Sequence, residues 1–313
     1  MNDVYARLVA DNPHIAALYP VDRYVDEWID AQRGRSYAHV GEQSRKVARQ
    51  VAQRGGAVAL PRYHRIVLAC LAGRVERELP GRGLPPSVCE LIRAEVARIG
   101  GELERQDDAF YDLGNDLFLK DVGLCTFRLL PCGAELVQVE AGVPRRLLVR
   151  GGPGQLLRGL AFFAFATRGF RPMYALHMDP RNTRDFTPEG WDRTYVRIAE
   201  LMARDPKVKG LFGSAWFYDP AVAAISPHLA YVRERREAAG ARCFRHGESD
   251  QVTADALATS RKRRTLFDAG RYRPASYYLV WPREALLAWA RKQAPAAFAT
   301  QGHPVASGPG GVS

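Results

Sequence analysis

Hydrophobic positions recur at helical spacing through the first third of the chain, then give way to alternating and continuous apolar runs. Val21, Tyr24, Val25, Trp28 and Ile29 share one helix face, and Gly34 closes that helix. Val40, Val47, Ala48 and Val51 do the same over 36–54, ahead of Gly55-Gly56. A third amphipathic stretch, 61–79, carries Ile66, Val67, Cys70, Leu71 and Val75, and a fourth, 86–99, carries Val88, Leu91, Ile92, Glu95 and Val96. Short Gly/Pro joints connect them, as in a bundle. Residues 1–110 are therefore expected to form an all-helical domain without sheet.

After Asp107 the pattern shifts. GLCTFRLLP and AELVQVEAG flank Pro131-Cys132-Gly133 and predict a hairpin with polar positions at Glu135, Gln138 and Glu140. PRRLLVRGG predicts a third short strand, and the stretch from Leu156 to Phe170 a buried helix behind a glycine-rich turn. PMYALHMD predicts a strand ending in His177 and Asp179, and Thr187-Pro188-Glu189 cap the helix that follows. Leu211 to Tyr218 place apolar residues at both parities, so this strand should be buried on both faces, with Asp219-Pro220 stopping it. Ser226-Pro227 start a helix that Gly240 ends, and ARCFRHG is the next strand. This alternation predicts parallel neighbours joined by right-handed crossovers. GESDQVTADALATS reads as a mobile loop, and SRKRRTLFDAGRY as a helix whose Arg261–Arg264 form a solvated basic face. PASYYLVWP and PREALLAWARK are the last strand and helix. The fold class is α/β of the α+β kind: a helical domain at 1–110, a mixed-sheet domain at 111–292 and a disordered tail at 293–313.

Composition narrows the partners. The 313 residues carry a net charge of +11, mostly from arginine, which suits planar contact with phosphate or carboxylate. No apolar run approaches the roughly 20 residues of a membrane span. The N-terminus lacks a basic segment followed by an apolar core, and the five cysteines are scattered without a CxxC, so a reduced, cytoplasmic setting is expected. No metal-ligand spacing, Walker loop or G-x-S-x-G elbow occurs. The Arg261–Arg264 run stands alone without a nucleic-acid-binding module.

Two strand ends carry the candidate chemistry: His177 with Asp179, and Tyr218 with Asp219. A histidine oriented by a carboxylate can act as a general base. With the antiparallel meander at 117–150, the strand at 173–178, the helix 188–204, the strand 210–218 and the helix 227–239, the segment 115–285 resembles the GNAT-type acyltransferases. The family's Q/R-x-x-G-x-G/A signature is absent from PRNTRDFTPEGW, where Arg181, Arg184 and Gly190 would take its place. The resemblance implies that this loop holds the phosphates of acyl-CoA or of an acyl-carrier thioester. It also implies that Tyr231, in SPHLAYV, protonates the departing thiolate, a role open to Tyr218 as well. A small-molecule amine would then be the acceptor, and an acidic acyl carrier protein would suit the basic charge. The alternative is a non-catalytic protein using the same cleft for an anionic ligand.

Overall fold

Burial explains the helical half. The helix Ala59–Glu78 is apolar around most of its circumference, so it sits in the middle of the other helices. His64 on it is fully buried, with Nε2 3.1 Å from the Tyr24 hydroxyl and Nδ1 2.9 Å from the Tyr111 carbonyl oxygen. Val21–Gln32 presents Val21, Tyr24, Val25 and Trp28 to it, and Pro86–Arg105 presents Val88, Ile92, Val96 and Ile99 to the core. The computed structural model describes residues 1–56 and 58–299.

Among the described residues six strands form one mixed sheet: β1 (Leu129–Pro131), β2 (Glu135–Ala141), β3 (Met173–Met178), β4 (Gly210–Ala215), β5 (Arg242–Gly247) and β6 (Ser276–Pro282). Their order across the sheet is β1-β2-β3-β4-β6-β5. Only β3 and β4 pair in parallel; the other neighbours are antiparallel. β4 is central, as its two-sided apolar pattern requires. The expected run of parallel neighbours stops there, because β6 lies between β4 and β5.

One sheet face shares a continuous hydrophobic core with the helical half, from Trp28 and Val67 through Phe118 and Leu136 to Leu211 and Trp281. The helix Pro188–Arg204 packs into the same core, its Thr187 cap accepting a hydrogen bond from the Gly190 amide. The other face carries a small core of Met173, Ala175, Phe212, Phe244 and Val280 under Leu147, Leu148 and Phe163.

Several local expectations need correction. PRRLLVRGG is not a strand: Leu147–Arg150 is a short helix that buries Leu147 and Leu148 on the second core. GLC belongs to the helix Asp116–Cys125, whose Asn115 cap outweighs its weak strand pattern. The strand from Leu211 ends at Ala215, and Trp216–Tyr218 turn as a 3-10 helix into Pro220–Ile225. Pro227–Leu229 is a 3-10 turn before the helix Tyr231–Ala238. The supposed mobile loop contains the helix Asp250–Ala258, capped by the Ser249 side chain. Leu156–Phe170 is a surface helix and turn rather than a buried helix. Pro295–Ala299 is helical, against the expected disorder; the rest of the expected tail, 300–313, lies outside the described residues.

Candidate active site

β3 and β4 are hydrogen-bonded neighbours only at Tyr174–Leu211, Ala175–Phe212 and Leu176–Gly213. Both strands continue, to Met178 and Ala215, without further pairing to each other. The gap between their carboxyl ends opens into a cavity of about 1000 Å³. Clefts at the carboxyl ends of parallel strands are where open α/β sheets bind ligands. Gly213 marks the fork: a Cβ there would stand 3.2 Å from Leu176 and 3.4 Å from the Tyr218 hydroxyl.

Glu135, the first residue of β2, pairs with Met178 and enters the cavity from the side of the main core. It is 4% exposed, and its Oε2 has no hydrogen-bond partner. Burial pushes its carboxyl up to about 8, against the opposing charge of Arg236. Arg236 is itself buried, its guanidinium 4.6 Å from the Tyr195 ring centre and 5.0 Å from that of Trp191, with Nη1 donating to the Tyr231 carbonyl. The phenols of Tyr195 and Tyr218 lie in the same cluster, neither completing a hydrogen bond, and burial holds both protonated. Buried polar atoms are ordinarily paired, and of this cluster Glu135 and Tyr218 line the cavity.

The opposite wall is held by Arg263. Rather than lying in a solvated basic face, it is 2% exposed and stacks 4.4 Å over Trp216. It donates to the Ala256 carbonyl, the Ser226 hydroxyl at 2.8 Å and the Thr259 hydroxyl at 3.2 Å. One guanidinium thereby ties the two helices after β5 to the loops after β4. Arg150, Ser214 and His246 line the cavity on the second-core side.

Of the residues singled out in the sequence, Tyr218 lines this cavity; His177, Asp179, Asp219 and Tyr231 do not. His177 and Asp179 form no dyad. The His177 Nε2 lies 3.2 Å from Gln138 Oε1, its ring meets Tyr37 edge-on, and burial beside Lys120 lowers its pKa to about 4. Asp179 is committed to Arg181, accepting from its amide and its guanidinium. Arg181 also pairs with the buried Asp121 at 3.0 Å, so its charge and its in-plane donors are occupied. Asp219 caps Pro220–Ile225 through the Ala221 amide. Tyr231 opens the helix that carries Arg236. Arg184 is exposed, and Gly190 is needed for packing, since a Cβ there would lie 2.2 Å from the Asp185 carbonyl oxygen. The 180–190 loop does border the cavity, through Pro180, Thr183 and Phe186. Sequence reading missed Glu135. Its polarity, shared with Gln138 and Glu140, is visible in the sequence of β2, but its burial is not.

No protein-family model and no curated protein matches this chain. Among solved structures, an acyltransferase in complex with decanoyl-CoA superimposes with a TM-score of 0.52 at 12% identity, covering 87% of this chain and 79% of the other. The chain shares the overall fold of that structure. A second acyltransferase structure, with decanoyl-CoA and teicoplanin, matches at a TM-score of 0.45 and 15% identity over 73% of this chain and 68% of that one. No helix among the described residues is long and apolar enough to cross a membrane.

Proposed function

We propose that the protein transfers an acyl group from acyl-CoA to an amine, in the manner of the GNAT-type enzymes, and that the fork between β3 and β4 is where the thioester lies. The observation that carries this reading is a buried carboxylate and a buried phenol, both unpartnered, in a cavity at the fork. The unpaired strand ends offer backbone amides and carbonyls to the amides of a pantetheine arm, which needs such partners once out of water.

The chemistry follows from these groups. The acceptor nitrogen attacks the thioester carbonyl carbon, forming the C–N bond as Glu135 takes the nitrogen's proton. The tetrahedral oxyanion collapses, the C–S bond breaks, and the thiolate takes a proton from the Tyr218 hydroxyl. Tyr218 recovers a proton from solvent, and Glu135 returns its own. A carboxylate with a pKa near 8 is a competent base close to neutral pH. For the donor phosphates, Arg184 on the bordering loop and Arg150 at the cavity wall are available, whereas Arg181 is occupied. His177, locked to Gln138, has no part in this scheme.

The test is to incubate the protein with decanoyl-CoA and a panel of primary amines, following thiol release and product mass. Release of CoA matched by an amide product supports the reading; Glu135→Gln should slow it by roughly 100-fold or more. Failure of the native protein to bind or cleave any acyl-CoA would sink it. Binding without transfer would leave a thioester-binding protein.

A further inference from the structure

The surface helix Pro153–Ala161 and the turn Phe162–Ala166 pack Leu156, Phe162 and Phe163 on the second core, yet carry large apolar side chains on the outer face as well. Their sheet-facing stripe is Gln155, Gly159, Phe163 and Thr167, all buried at a spacing of four. Gln155 is fixed there by donating to the carbonyls of Leu147 and Arg245 and accepting from the Arg245 amide. The outward stripe is apolar: Leu157 is 70% exposed, Leu160 48% and Phe165 83%, with Ala161 and Ala164 between them. Val149 on the preceding helix extends the patch at 65% exposure. Large side chains gathered on one exposed face mark an interaction surface, not ordinary scatter.

Charge identifies the occupant. No aspartate or glutamate occurs between Glu140 and Asp179, while that stretch holds six arginines. Arg145, Arg146, Arg150, Arg158 and Arg168 are exposed around the apolar stripe. An apolar face of leucine and phenylalanine inside a basic border is the composition of helices that lie in the headgroup region of anionic bilayers. We infer that this face docks the protein on an anionic lipid surface, with Leu157, Leu160 and Phe165 inserted and the arginines against the phosphates. Arg150 belongs both to this border and to the cavity wall, so docking would hold the cavity near the headgroups. The inference holds whatever the cavity binds.

Vesicle co-sedimentation of the full chain tests it, using phosphatidylcholine with and without phosphatidylglycerol. The native protein should sediment with the mixed vesicles about tenfold more tightly than with pure phosphatidylcholine. Leu157→Ser with Phe165→Ser, and separately Arg146→Glu with Arg158→Glu, should each weaken that binding about tenfold or more. All four side chains are exposed, so circular dichroism should show an unchanged fold. Three results would overturn the inference. The first is no sedimentation with the mixed vesicles. The second is sedimentation indifferent to the Leu157 and Phe165 changes, the mark of nonspecific charge. The third is self-association that those changes abolish without any lipid binding, which would assign the face to a second copy.

Discussion

Two buried titratable groups pull this protein's stability in opposite directions. Glu135 ionises near 8 in the folded chain and at 4.5 ordinarily. Between those values the folded state holds a proton that the unfolded state has released, so stability falls as pH rises through this window. Glu135→Gln should remove that loss and raise unfolding free energy at pH 7 by up to about 3 kcal/mol while suppressing transfer. A gain in urea midpoint together with lost turnover is the expected pair; a destabilised variant would contradict it. If the protein transfers acyl groups as proposed, its rate should climb with pH, reach half its maximum near 8 and level off above that, and a flat profile would remove Glu135 as base. His64 acts the other way. Its folded pKa of about 4 lies below the ordinary 6.5, so its stabilising contribution is complete above 6.5 and fades as pH falls towards 4. His64→Gln should flatten urea midpoints plotted over that interval. Arg181 and Arg184 separate structure from binding. Arg181→Ala leaves the buried carboxylates of Asp179 and Asp121 short of a partner and should cost about 3–5 kcal/mol of stability. Arg184→Ala should leave the melting temperature unchanged and weaken acyl-CoA binding, read by calorimetry.

At the scale of elements, what could be read was what periodicity controls. β3, β4 and β6 have apolar runs bounded by proline or by a polar loop, and the helices from Val21 to Arg105 show their faces plainly. Segments were misread where tertiary contact decides. Leu147 and Leu148 turn as a helix because their side chains fill the second core, information absent from the run LLVR itself. Ser249 caps a helix in a stretch too polar to show a face, and its only buried residue is Ala256. The site was legible in part for the same reason. The strand leading to the cavity can be found from sequence, which placed Tyr218 beside the cavity although it lies in the turn beyond the end of β4. The direction of a side chain at the end of a strand depends on register, which separated His177 from Tyr218 and brought Glu135 in from β2. Phe212, stacked on Tyr278 in the second core, tests the centrality of β4. Phe212→Ala should cost about 3–5 kcal/mol in chemical denaturation; a loss below 1 kcal/mol, as at exposed positions, would argue against a buried β4.

For the molecule as a whole, the order of strands in space differs from their order in the chain. β5 has β6 as its one hydrogen-bonded neighbour, and β6 also completes β4. During synthesis, then, β5 emerges with an open edge on each side and waits about thirty residues for the strand that joins it to the sheet. The two helices of the cavity wall, including Arg263, are made in that interval. The cavity therefore cannot close until β6 has left the ribosome. A chain stopped at Asp268 would hold every cavity residue but Ser276 and still present bare strand edges, a template for aggregation rather than a closed cavity.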